Sequence, residues 1–204
     1  MTARRLSETR RAWHGVAEIL LAGPQFRRSG TIRLRIVPGG FATVREPDLR
    51  VEGAVLVAGA QRIALAGNTP AGLAAAVDVE AGAPDIYDDH SGVREDEALV
   101  VETGTAAYLA EWFAAGDAAL RMAFPDLTPV LWPEHFDVSV TAGEANFGVS
   151  PGDSWQNVPY AYVGPWTKRE GAFWNAPFGA VRSISELPDA AAVAAFFEEG
   201  RAHL

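Results

Sequence analysis

The sequence predicts an α+β fold: a mainly antiparallel sheet packed with about three or four helices. Three observations carry this reading. Short alternating strands are separated by tight turn signals, a few helical stripes stand well apart, and regular strand–helix–strand alternation is missing.

Taken in order, Trp13, Val16, Ala17, Leu20 and Leu21 fall at helical spacing, and Gly23-Pro24 is expected to stop that first amphipathic helix. In "GTIRLRIVPGGF", Ile32, Leu34 and Ile36 alternate with Arg33 and Arg35 up to a turn at Pro38-Gly39-Gly40. "DLRVEGAVLVAGAQRIAL" supplies two or three further strands. A short helix is expected over Thr69–Val77, with Thr69 as cap and Pro70 at its first position. Residues 80–97 are acidic and turn-rich and read as an exposed loop. Leu109, Trp112, Phe113, Gly116, Leu120 and Ala123 mark the longest helix, about Thr105–Ala123. Strand signals return from Pro129 to Arg182, and a last helix starts near Pro188.

The 204 residues are read as one domain, 1–204, with the strand-rich part 129–182 between two helices. A formal net charge of -9 argues against nucleic acid and against an anionic membrane surface. With no cysteine there is no disulfide, thiolate nucleophile or thiolate metal site. No apolar run is long enough to span a bilayer. Trp13, His14 and Glu18 interrupt the apolar stretch that a signal peptide would need, so a cytoplasmic protein is expected.

The stretch "LWPEHFDVSV" brings Glu134, His135 and Asp137 to the start of a strand. Alternation puts Phe136, Val138 and Val140 on one face and His135, Asp137, Ser139 and Thr141 on the other. Gly143-Glu144 suits a two-residue type II′ hairpin, which pairs Ala142 with Ala145, Val140 with Phe147 and Val138 with Val149. The polar side then collects His135, Asp137, Asn146 and Ser150. It is either an ordinary solvated sheet face or the lining of a pocket.

The company favours looking for a pocket, since residues 132–178 hold half of the chain's aromatics. Trp132, Trp155, Tyr160, Tyr162 and Trp174 are the candidate walls. His135, Asp137, Asn146, Glu134, Ser150, Asp153 and Asn175 are the candidate polar groups. The functional expectation is a small organic ligand, with no cofactor. One alternative is acid–base catalysis by His135 and Asp137, a pair about 7 Å apart along one strand face. Another is an interaction module or homodimer built on the aromatics.

Other motifs fall away. "GVSPG" matches G-x-S-x-G, but it leads from strand to strand, and Pro151 lacks the N–H that an oxyanion hole needs. His135 with Glu134, Asp137 and Asp153, or His90 with Asp88 and Asp89, offers nitrogen and oxygen ligands without any metal-site spacing, so no metal is expected. "YDDHSG" reads as a solvated turn, and phosphate-binding glycine patterns are missing.

The segments "PVLWPEHFDVSV", "NFGVSPGD", "PYAYVGPW" and "FWNAPFGA", with weaker echoes in "VPGGFAT" and "AAGDAALRMA", resemble a bacterial family of uncharacterised proteins. The resemblance implies that Trp132, His135, Asp137, Ser150, Asp153, Tyr160, Tyr162 and Asn175 form one spatial group. It assigns them no role.

Overall fold

Helix α1 (Ala3–Val16) begins where the Thr2 hydroxyl accepts the Arg5 N–H at 3.3 Å. In the computed structural model, which describes residues 2–204, it continues without a break into a π-helical segment, Ala17–Ala22, and then into α2 (Gly23–Ser29). Gly23-Pro24 is therefore not a stop. The Gly23 N–H bonds the Glu18 carbonyl five residues back, and Pro24 sits in the first turn of α2, where a missing N–H does no harm. Pro24 has nothing to donate to the carbonyls a turn behind it, and one of these, Ile19, accepts the Gly82 N–H at 3.1 Å. Gly23 is needed for that approach, because a Cβ there would lie 1.7 Å from the Gly82 carbonyl oxygen.

The chain divides into two compact units, one of residues up to Glu111 with Leu131–Phe136, the other of Trp112–Val130 with Asp137–Leu204. In the first, β1 (Leu34–Val37), β2 (Gly40–Thr43), β3 (Leu49–Glu52), β4 (Val55–Ala58) and β5 (Gln61–Ala64) pair antiparallel in sequence order. Three of the four connections are two-residue turns and the link from β2 to β3 has five residues, all too short for the crossover that a parallel pair needs. Helix α3 (Pro70–Ala76) has the expected Thr69 cap, bonded to the Gly72 N–H at 3.1 Å. The division falls inside α4 (Thr103–Ala123), and β6 (Val130–Trp132) meets β1 through Leu131 and Leu34.

Trp13, Leu20, Leu21, Phe41, Val51 and Leu56 form the core of the first unit. Buried Gln25 uses its whole amide: Nε2 donates to the Thr31 and Arg33 carbonyls, and Oε1 accepts from the Val44 and Arg45 N–H groups. It thereby ties α2 to both ends of the first hairpin without leaving a polar atom unpaired.

In the second unit β7 (Asp137–Ala142), β8 (Ala145–Ser150), β9 (Tyr160–Pro165) and β10 (Ala180–Ser183) are antiparallel neighbours in sequence order. Helix α5 (Ala190–Ala202) is capped by Asp189, one residue beyond the expected Pro188. Val138, Phe147, Val149 and Val163 make the apolar side of this sheet. Added Cβ atoms at Gly116 and Gly200 would lie 2.1 Å and 2.6 Å from Val149 and Val163, so both helices seat on it through glycine. Among the described residues no helix is long and apolar enough to cross a membrane.

The β7–β8 register is the expected one, residue for residue from Ala142↔Ala145 to Val138↔Val149. The turn is not. Gly143 and Glu144 have φ of 56° and 61°, which is type I′ and puts a side-chain-bearing residue in the left-handed region where type II′ would not. Glu144→Gly should therefore stabilise the protein by about 0.5–1 kcal/mol in chemical denaturation, left-handed strain outweighing glycine's extra chain entropy. A loss of stability would contradict the observed turn.

Candidate functional site

The strand expected to run from His135 begins two residues later, at Asp137. Residues 133–136 form a turn, and Phe136 at its end has φ of 50°. Strand alternation does not extend through a left-handed residue, so Glu134 and His135 belong to the turn and Asp137 opens β7. The premise that His135 and Asp137 share one strand face is thus corrected. The Phe136 ring is buried against Phe41 (centroids 5.6 Å apart, edge-on) and stacked on His14 (5.2 Å, 7° between planes).

The first unit holds Trp132, Glu134 and His135. Trp132 is half-buried with the Arg33 guanidinium 5.5 Å from its ring. The His135 side chain is 63% exposed, with Nδ1 3.6 Å from Asp89 and Nε2 3.7 Å from Glu134.

The more heavily built place in this unit surrounds Glu18, which the sequence shows only as an interruption of an apolar run. Glu18 lies on the π-helical segment with a side chain only 1% exposed. Its Oε1 is 2.9 Å from His90 Nδ1, and its Oε2 accepts the Ser91 N–H at 2.9 Å. His14, one turn earlier, has Nε2 3.8 Å from Glu18 and 2.6 Å from the Pro133 carbonyl oxygen. Since that carbonyl only accepts, His14 Nε2 carries a proton. The Tyr87 ring packs on His90 at 4.8 Å, and burial, then the Glu18 carboxylate, push its phenol pKa up. "YDDHSG" is therefore no free turn, because its histidine and serine grip a carboxylate. The sequence signal was a glutamate inside an apolar helical stripe, next to a histidine four residues back. Among the described residues no group of three or more His, Cys, Asp or Glu side chains is set to hold a metal ion.

Asp137, Ser139 and Ser150 lie in the second unit and are buried, so this half of the polar hairpin side is not a solvated face. Two tyrosines reach it from β9. The Tyr162 hydroxyl donates to the Asp137 carboxylate, and the Tyr160 hydroxyl donates to Asp153 Oδ2 at 2.5 Å. Tyr162 crosses β8 above Gly148, where an added Cβ would stand 2.7 Å from its hydroxyl oxygen. Burial, then the neighbouring carboxylate, raise the pKa of both phenols. Asp153 also takes the Trp155 and Gln156 N–H groups at 2.8 Å each, which fixes the "PGDSWQ" bend. The Ser150 hydroxyl accepts the Gly152 N–H at 3.2 Å, and its carbonyl accepts Trp112 Nε1 at 2.8 Å.

Not every expected residue joins this network. Asn146 pairs with Thr141 at the exposed hairpin tip, about 13 Å along the strand from Asp137. Asn175 clamps the Val181 N–H and carbonyl at 2.8 and 3.1 Å, holding the loop before β10. Trp155 is exposed, edge-on to Tyr160 (5.7 Å) and Phe178 (5.1 Å). Phe178 in turn lines an open hollow of about 470 Å³ with Trp166, Trp174, Lys168, Arg169 and Glu170. His203, next to the C-terminal residue, stacks on Phe173 at 4.5 Å.

No family model, curated protein or solved structure matches this chain. Function must be read from the side chains alone.

His14 gives a pH signature. Burial lowers its imidazole pKa against the opposing pull of Glu18, the Pro133 carbonyl and Asp89, and with the help of His90. The unfolded imidazole titrates near its ordinary value of about 6.5, so below it the unfolded state takes up a proton that the folded state refuses. This contribution is complete above that pH and is lost as pH falls from there towards the folded pKa. Urea midpoints should drop between pH 7.5 and 5.5 more steeply in the natural protein than in His14→Gln, which keeps a donor for Pro133. Equal slopes would contradict the assignment.

Proposed function

We propose that the chain binds a small organic molecule, one with a planar ring and an anionic group, at the aromatic surface of its second unit. One observation carries the reading: Trp155, Trp166 and Phe178 are large, exposed and at or next to an open hollow that Lys168, Arg169 and Glu170 also line. Monomeric proteins keep such rings on the surface chiefly where something covers them. A ring stacking on an indole and a carboxylate or phosphate meeting two cations satisfy both features.

The buried network behind the surface fits a ligand platform. Asp153 fixes the bend that carries Trp155, and Tyr160 buttresses the Trp155 ring from below. Rigid aromatic walls lose little freedom on binding. The Tyr162–Asp137 pair serves as support in this reading, and Asn175 sets the loop that carries Trp174 and Phe178.

Tryptophan-fluorescence titration with 1-naphthoate, indole-3-acetate and 1-naphthyl phosphate tests the proposal. Saturable quenching is expected. It should weaken about tenfold, the equivalent of about 1.4 kcal/mol, in Trp166→Ala and again in a Lys168→Ala/Arg169→Ala variant, and remain unchanged in His135→Ala. No saturable binding to any of the three, or binding indifferent to Trp166 and both cations, would overturn it. So would a light-scattering mass of a dimer that Trp166→Ala dissociates, since the aromatics would then be a subunit interface.

A further inference from the structure

We propose that Glu18 and His90 form a carboxylate–imidazole dyad that presents a basic Nε2 to a neutral or cationic small molecule, a proton-transfer site independent of the aromatic surface. Glu18 Oε2 is engaged by the Ser91 N–H, so Oε1 is the oxygen left to face His90 Nδ1 at 2.9 Å. A carboxylate only accepts, and that contact therefore requires the proton on Nδ1. The Nε2 lone pair is the consequence. Among the described residues Nε2 has no hydrogen-bond partner, and the His90 side chain is 38% exposed. A histidine whose inner nitrogen is held by a buried carboxylate and whose outer nitrogen meets solvent has the wiring of a general base.

The surroundings restrict what could approach. Tyr87 packs on one side of the His90 ring, and Asp88 and Asp89 precede it in the chain. Asp89 also lies 3.6 Å from His135, and Glu134 lies 3.7 Å from the other nitrogen of that ring. A substrate anion would meet this acidic margin unfavourably, which selects neutral or positively charged molecules. The step is a proton transfer. The Nε2 lone pair takes a proton from a water or substrate O–H as that oxygen forms its new bond, Glu18 stabilises the imidazolium, and the same proton passes to the departing group. Glu18 is the positioning residue and His90 the catalytic one. The π-helical segment matters because it sets a charged side chain on an otherwise apolar stripe, and such segments recur at functional sites.

The assignment is tested in two ways on the full chain. Nitrogen-15 imidazole spectra should show His90 protonated at Nδ1 and bare at Nε2. In Glu18→Gln the new amide oxygen keeps the Ser91 N–H, its NH₂ turns to His90 Nδ1, and the tautomer should invert while the Ser91 contact persists. Hydrolysis of 4-nitrophenyl acetate, a neutral ester used as the probe, should proceed at least tenfold faster than with equimolar free imidazole. His90→Asn and Glu18→Gln should each reduce it to the imidazole level, and His135→Ala should leave it within twofold. A natural protein no faster than imidazole, a rate unchanged in His90→Asn, or a His90 proton resident on Nε2 would each overturn the proposal. The tautomer measurement on the natural protein decides the matter even if Glu18→Gln fails to fold.

Discussion

A carboxylate taken out of water costs several kcal/mol unless hydrogen bonds and a counter-group meet it, and the first unit is arranged around one such group. Glu18 sits on a helix face otherwise made of alanine, isoleucine and leucine. The segment 80–97 has no helix or strand of its own, and its Ser91 N–H and His90 ring are what close on the carboxylate. The π-helical register opens the Ile19 carbonyl to Gly82, and Gly23 allows the loop backbone to come that close. At the far end of the loop, Arg11 pairs with Glu97 through Nη1 and Nη2 and holds the Glu97 carboxyl well below its usual range. A loop with acidic, turn-rich composition is held by a buried carboxylate, a carbonyl left open in the π-helical segment and an arginine–glutamate pair at its far end.

The second unit solves the same problem differently. Asp137 begins a strand whose neighbours are valines, and its partner comes from the next strand but one. Gly148, on the strand between, has no side chain to obstruct the Tyr162 ring. Removing the carboxylate's water therefore needed a tyrosine that reaches diagonally from the row of Ser139 and Gly148 to Asp137. Tyr160 and Asp153 repeat the arrangement nearer the sheet end, where the chain bends and Trp155 turns outward. In both units the polar groups that look functional in sequence are first of all the price of burying acids, and chemistry starts where such a group still shows a face to solvent.

Much of this architecture was legible in the residues. Period-two alternation and a two-residue turn fixed the β7–β8 register, because a slip by one would exchange Val138 and Val140 with Asp137 and Ser139. The helices from Thr69 and around Trp112 were legible from a cap and from apolar spacing. The turn type was not, since Gly-Glu satisfies type II′ on paper and only φ at Glu144 separates it from type I′. Phe136 carries no sequence mark of its left-handed backbone, so alternation alone runs the strand back to His135. Gly23-Pro24 looked like a helix stop because the group that rescues the helix, Gly82, is remote in sequence. In sequence Glu18 is only an interruption of an apolar run. Its partner His90 is 72 positions away, and nothing local announces the pairing.

The dependence of the 80–97 loop on buried Glu18 is tested most directly by amide hydrogen exchange in the unmodified protein. The Gly82 and Ser91 amides, both in a segment without regular structure, should exchange at least a hundredfold more slowly than the exposed amides at Asp88 and Gly92. Exchange of Ser91 at the rate of an open peptide would mean that the carboxylate is not held as described, and the account of this unit would fail with it.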